Sequence, residues 1–476
     1  MQQKLALAFI SCVTCLTLPL ASTIALDKSP LLLTNINKTS ILEKQTPISH
    51  NLLKSLIAQN QPTAALEISE RGRERGLVDL LAQSLPTKNV DTPRVEEIKQ
   101  VAKNQNATLV QYTLLKADVT VDGKRQTQDS ELVIWVIPPT GEISLRKVDL
   151  QAWQQKEKTT LADLIKQVQP HSSARVELNK GGIRATVSKQ NPSKLTWKQL
   201  NQILIQPIAD LLPKNPESRV IFIPQDKLFL VPFAALQDEN NKYLIEKHTI
   251  ATAPAIQVLD LLAKRSAANT NANQNVLIVG NPTLPTKPLY EDEKFNQLPP
   301  LPGTEKEAKS IANIYNTQAL IGDAATETTV VQQMSTARII HLATTGFLAQ
   351  ALEIPGLLAF APSSQDDGWL TSSEVNKLKL KADLVVLSSC DSALGKITGD
   401  GVIGLSRAFF VAGANSVIGT LGDIPDDQTA ALMTEFHKNL SKNSDKAAAL
   451  RQAMLATMKR NPNPLDWGMF ILVGLP

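Results

Sequence analysis

The feature that most constrains the chain is Leu384-Val385-Val386-Leu387, an unbroken aliphatic run closed by Ser388-Ser389-Cys390-Asp391. A short apolar run without polar alternation reads as a strand covered on both faces, as in a parallel sheet. Its polar end puts Cys390 at the carboxyl edge of that sheet, where open α/β folds place their sites. A second run, Arg338-Ile339-Ile340-His341-Leu342-Ala343, ends in Thr344-Thr345-Gly346. Two buried strands with reactive residue types at their ends outline a catalytic dyad, or what is left of one.

The same grammar extends both ways. Val220–Pro224, Val276–Pro282, Ser416–Thr420 and Phe470–Val473 read as further strands. Helical patterns cover Glu305–Tyr315, Val402–Ala412, Gln428–Leu440 and Asp445–Lys459. Short apolar strands alternating with helices predict an α/β fold, a mainly parallel sheet with helices on both faces. Upstream, residues 86–199 read as a small α/β region, with a helix over Val95–Lys103 and strands over Leu109–Leu115, Glu131–Ile137 and Glu142–Leu150. The clearest helix of that stretch and its border runs from Leu195 to Leu212. Residues 26–85 begin as a leader without period, then become helical from Ser49 to Ala82, and Gln61-Pro62-Thr63 divides that segment into a helix pair.

The first 25 residues have the pattern of a secretory signal: Lys4, a mostly apolar run from Leu5 to Leu20, Pro19, and the small residues Ala21 to Ala25. The run is shorter than the roughly 20 apolar residues of a membrane span, and no later segment is long and apolar enough for one. Cys12 and Cys15 lie inside the signal, so the processed chain keeps Cys390 alone of the three cysteines. That excludes an internal disulfide and a thiolate metal cluster. A lone thiol in an exported protein is either buried and inert or functional. The formal net charge of +4 contains no long basic run, and only 4% of residues are aromatic. Neither feature points to nucleic acid, and no Walker sequence or metal-ligand spacing calls for a cofactor or metal.

From Leu200 to the end the chain resembles CHAT-domain proteins, caspase-like members of the clan that includes separase. The stretches that carry the likeness include Arg219–Leu236, Tyr243–Pro254, Leu301-Pro302-Gly303-Thr304-Glu305, His341–Gly346, Gly368-Trp369-Leu370-Thr371, Asp383–Gly395, Gly399–Gly413, Asp426–Met433 and Trp467–Gly474. The segment from Ala64 to Leu81 resembles the end of a tetratricopeptide array, reduced to about one helix pair. Stacked repeats need about three units to stand alone, so this pair is expected to pack on the α/β body. The expected division is therefore 1–25 signal, 26–85 leader and helix pair, 86–199 small α/β region and 200–476 caspase-like CHAT domain.

The resemblance implies a cysteine peptidase in which a His, directly followed by Gly, activates a Cys on the next strand. Cys390 matches the nucleophile, and the His-Gly pair falls on Thr345-Gly346. Threonine cannot take up that proton or carry positive charge. His341 lies four residues earlier, about 13 Å back along a strand at about 3.3 Å per residue, far beyond the approximately 3 Å a general base needs. It reads as a structural histidine, and His50, His171, His248 and His437 carry no motif. Asp426, with Asp423 on the same stretch, falls where relatives receive a basic substrate side chain, a role suited to a carboxylate. The alternative for Asp426 is an N-cap of the helix at Gln428. Gly422 stands where the family usually has Trp, which removes a flat apolar wall.

Gly399-Asp400-Gly401-Val402-Ile403-Gly404 is a formal G-x-G-x-x-G with Asp423 about 20 residues on. The dinucleotide fingerprint needs its first glycine in the turn at the strand end, whereas the loop Asp391–Thr398 intervenes here. The expectation is thus an exported, catalytically impaired peptidase homologue that binds a peptide or protein partner without a cofactor. An active cysteine endopeptidase with another base is the alternative, and a dinucleotide-binding protein the weaker one.

Overall fold

The structure, a computed structural model, describes residues 50–85, 90–121, 124–169, 177–179, 182–184, 192–268, 275–286, 301–349, 354–389, 395–398, 401–422 and 424–476. The expected signal and leader, up to residue 49, lie outside the described residues, as do Cys390 and Asp423.

The chain enters through helices α1 (residues 50–58), α2 (Pro62–Arg71), α3 (Arg75–Ala82) and α4 (Val95–Gln105). Strands β1 (Ala107–Val121), β2 (Lys124–Ile137) and β3 (Ser144–Asp149) follow as an antiparallel meander. Next come α5 (Leu150–Glu157), α6 (Leu161–Val168), the two-stranded β4 (Glu177–Asn179) and β5 (Gly182–Arg184), and α7 (Lys194–Leu204). The alternating part then runs β6 (Arg219–Ile223), α8 (Leu244–Lys247), β7 (Thr249–Thr252), α9 (Ile256–Ala268), β8 (Val276–Pro282), α10 (Pro302–Ile314), β9 (Leu320–Gly322), α11 (Glu327–Met334) and β10 (Ile339–Ala343). A small antiparallel sheet of β11 (Gly346–Ala349), β12 (Ile354–Ala359) and β13 (Trp369–Thr371) precedes α12 (Ser372–Val375) and β14 (Leu384–Leu387). A hairpin of β15 (Gly395–Thr398) and β16 (Gly401–Gly404) leads into α13 (Leu405–Ala412), β17 (Ser416–Thr420), α14 (Asp426–Leu440), α15 (Lys446–Arg460) and β18 (Phe470–Gly474).

Among the described residues, eleven strands form one sheet in the order β3-β2-β1-β6-β7-β18-β17-β14-β10-β8-β9. Its ladders are parallel except β1/β2, β2/β3 and β17/β18. The meander therefore extends the sheet of the C-terminal part through the parallel pairing of β1 with β6. Both faces are covered, and the buried residues alternate between two apolar cores. Ile339, Leu384, Val386 and Ile418 pack in one, and Ile340, Leu342, Val385, Leu387 and Val417 in the other. This two-sided burial is why the central strands lack polar alternation.

The entry helices are fastened to the sheet and to its covering helices by buried polar side chains. Arg73 donates to the carbonyls of Pro224 (2.6 Å) and Tyr112 (2.7 Å) and to Thr113 Oγ1 (3.1 Å). Glu70 Oε1 accepts from the backbone N–H of Gln257 at the start of α9 (2.9 Å), where the helix terminus favours negative charge. Glu74 pairs with Arg407 of α13 at 3.6 Å.

Three expected boundaries differ. The Ser49–Ala82 segment holds three helices, because the chain breaks again at Gly72–Glu74, where Glu74 adopts a left-handed φ of 50°. The helix expected to run to Leu212 stops at Leu204, since the residue before Pro207 is disfavoured in α-helix and the chain continues as a 3₁₀ turn. Val402 and Ile403 lie in β16, and α13 begins only at Leu405, because pairing with β15 satisfies their backbone groups instead.

Candidate functional site

Strands β10 and β14 lie side by side and parallel, with Leu342 opposite Leu387. Thr345 and Cys390 each follow that last shared rung by three residues. Ser388 N–H donates to Leu342 O at 2.9 Å, which carries the pairing one residue past β14. Ser389 O accepts from Thr420 Oγ1 of β17 at 2.8 Å. The segment just before Cys390 is thus anchored on both sides, and Ser388 and Ser389 are buried. Opposite, Thr344 Oγ1 donates to Ala359 O, and Thr345 O accepts from Ala359 N–H at 3.0 Å. Thr345 is half-buried, and Gly346 turns the chain into the small sheet by pairing with Leu358.

His341 is fully buried on β10, and both ring nitrogens are engaged. Nε2 lies 2.9 Å from Glu307 Oε1, and Nδ1 lies 3.1 Å from His437 Nε2. His437 Nδ1 in turn contacts Tyr315 Oη at 3.1 Å. A carboxylate only accepts, so His341 Nε2–H donates to Glu307. Desolvation, and then His341 beside it, hold His437 well below the ordinary imidazole range, while burial pushes the Tyr315 phenol up to about 12. A four-residue polar chain therefore runs through an otherwise apolar layer between the sheet and α10 and α14. Neither Glu307 nor His437 stood out as a site residue in the sequence. The available signal was His341 itself, because a histidine inside an apolar strand must find partners.

Asp426 is the first residue of α14, with Pro425 at the cap position, so it is not the N-cap of that helix. It is exposed and abuts the start of α10: a Cβ on Gly303 would lie 2.5 Å from Asp426 Cβ and 3.0 Å from its Oδ2. Partial desolvation, then the neighbouring Glu307 and Asp427, raise its carboxyl above the ordinary range. Gly422 is buried. Gly401–Gly404 forms a strand of the β15/β16 hairpin rather than the glycine turn between a sheet strand and a helix that pyrophosphate binding requires. Among the described residues no cluster of three His, Cys, Asp or Glu side chains could hold a metal ion, and no helix is long and apolar enough to cross a membrane.

A mainly parallel sheet covered on both faces, with Thr345 and Cys390 following neighbouring strands in the sequence, defines a caspase-like α/β protein. Residues 194–475 match the model of the CHAT domain, and the chain belongs to that family. It is 28% identical over 328 residues to human Tetratricopeptide repeat protein 28, an alignment covering 59% of this chain and 13% of that protein. The mouse protein of the same name is 28% identical over 349 residues, covering 63% of this chain and 14% of the relative. The chain thus spans only a small part of the length of these curated relatives. A Saccharomyces cerevisiae separase–securin complex solved at 2.6 angstrom shares the fold, with a TM-score of 0.50, 12% identity, and coverage of 94% of this chain and 38% of that one. The chain carries a peptidase-like or protein-interaction module.

Proposed function

We propose that this CHAT-domain protein is a catalytically impaired cysteine-peptidase homologue that binds a peptide segment of a protein partner. One observation carries the reading. The base position holds Thr345, and His341, the imidazole nearest to it in sequence, is fully buried with both nitrogens committed to Glu307 and His437. A thiol without an adjacent base stays mostly protonated near neutrality. The segment recognised presents a basic side chain to Asp426. The likeness to a structure described as a separase–securin complex supports a protein rather than a small-molecule partner. The apolar run after Lys4 and the single cysteine beyond it support export to the periplasm or the cell exterior.

The test is cleavage of fluorogenic peptidyl-arginine substrates by the unmodified protein and by Cys390→Ala. The expected result is no difference between the two. Turnover that disappears in Cys390→Ala would overturn the proposal in favour of an active endopeptidase.

A further inference from the structure

We propose that the Glu327 carboxyl in its neutral form latches the small sheet of β11, β12 and β13 to the start of α11, and that its ionisation loosens that sheet and the Thr345–Gly346 turn bonded to it. The inference is independent of whether a peptide binds near Asp426.

Three observations lead there. First, the start of α11 clasps the segment that joins β12 to β13. Glu327 N–H donates to Ala361 O at 3.1 Å, and Ala361 N–H donates to Ala325 O at 3.0 Å. Asp366 Oδ2 accepts from Thr328 N–H at 3.0 Å, from Ser363 Oγ at 2.9 Å, and from Thr328 Oγ1. Within the segment, Phe360 N–H donates to Gly368 O at 2.7 Å. Second, the Glu327 side chain reaches into the same clasp, where Gly368 N–H donates to its carboxyl. Glu327 is only 8% exposed, and its Oε2 makes no hydrogen bond among the described residues; Asp366 Oδ1 is buried and open as well. Third, the charged groups that face Glu327 are all of its own sign: Glu374 of α12, and Asp366 and Asp367 of the clasped segment. Helix α11 has no other charged side chain, and β8, which packs against it, has none. No lysine or arginine among the described residues forms an ion pair with any of these four carboxyl groups.

Such surroundings admit a neutral acid and resist an anion. Burial, then Glu374, Asp366 and Asp367, push the Glu327 carboxyl up to about 8. A raised folded-state value means that its contribution is fully present below the ordinary carboxyl range and is lost as pH rises through about 8. The loss falls on the clasp, because the repulsion acts between α11 and the elements that carry the small sheet. Strand β12 passes it on: Ala359 N–H donates to Thr345 O, Ala359 O accepts from Thr344 Oγ1, and Leu358 pairs with Gly346. Leu358, Phe360 and Leu370 remain anchored in the apolar core, so the opening is local rather than global.

The experiment is hydrogen–deuterium exchange of the full chain at pH 6 and pH 9, read by mass spectrometry and normalised to the chemical exchange rate at each pH. Peptides covering residues 354–371 should exchange at least about tenfold faster at pH 9, while Ile339–Ala343 and Leu384–Leu387 keep their protection. Glu327→Gln keeps the shape and stays neutral, and it should abolish that gain. Equal protection of residues 354–371 at both pH values, or a gain that survives Glu327→Gln, would overturn the proposal. An equal gain in the two central strands would do the same, since it would mean global loosening. Should Glu327→Gln not fold, Glu374→Gln decides. It removes the neighbouring charge that weighs most on Glu327, so the gain at pH 9 should fall by about half or more; an unchanged gain would overturn the proposal.

Discussion

Replacing Arg73 by alanine should loosen the entry helices from the sheet. Arg73 is 8% exposed, and its guanidinium donates to two backbone carbonyls at 2.6 and 2.7 Å and lies 3.9 Å from the buried Glu70. Removing one member of such a buried set leaves the rest uncompensated, at a cost of about 3–5 kcal/mol. The cost depends on pH through Glu70. Burial, opposed by Arg73 and by backbone donors, raises its carboxyl to about 7. A raised folded-state value means that the contribution of this group is fully present below its unfolded value and is lost as pH rises through about 7. Above that value the Glu70 anion needs Arg73; below it, the protonated acid does not. The penalty of Arg73→Ala should therefore be largest at pH 8. Near pH 5 it should fall toward about 2 kcal/mol, the size expected of hydrogen bonds from a charged donor. Urea unfolding at both pH values measures this, with the exposed Arg71→Ala as a control expected within about 0.5 kcal/mol of the unmodified protein. A penalty under about 1 kcal/mol at pH 8, or one that does not change with pH, would refute the argument.

Other outcomes follow from the same structure. Burial, then Lys247 and Arg451, lower His248 to about 4, and His437 is also depressed; both favour the neutral ring, so their contribution is present above the unfolded value of about 6.5 and is lost as pH falls below it. Melting temperature should thus fall between pH 6.5 and 4, and His248→Gln should flatten the curve. Gly303→Ala should destabilise by about 1–3 kcal/mol, because its methyl meets Asp426 Cβ at 2.5 Å and α14 must shift; an unchanged unfolding midpoint would contradict this. Thr345→His should speed iodoacetamide labelling of Cys390 near neutral pH, since an imidazole beside a thiol favours the thiolate. Coincident rate profiles with the fold intact would show that Thr345 is not at the base position.

The central strands were legible because two-sided burial writes itself as contiguous aliphatic residues, as in Leu384–Leu387. Helix borders were less so, because Glu74 in a left-handed conformation and a strand at Val402–Ile403 answer to Arg407 and β15 rather than to local preference. The strand ends that precede Thr345 and Cys390 were legible in the same way, as the apolar runs Ile339–Ala343 and Leu384–Leu387. The polar chain from Tyr315 to Glu307 was not, since His341 meets Glu307 across 34 residues and His437 across 96. Glu70 and Arg73 look like an ordinary polar helix face, and only their distant partners, Gln257 and Pro224, show that they are buried anchors.

The central claim, a nucleophile position without its base, is tested most directly by the pH dependence of Cys390 alkylation in the unmodified protein. Iodoacetamide labelling is followed by mass spectrometry of the peptide carrying Cys390, with Cys390→Ala as the blank. An uncoupled thiol predicts a rate that rises with a midpoint near or above the ordinary value of about 8.5. A midpoint below about 7 would reveal a base acting on Cys390, contradict the impaired reading, and make the active peptidase the better account.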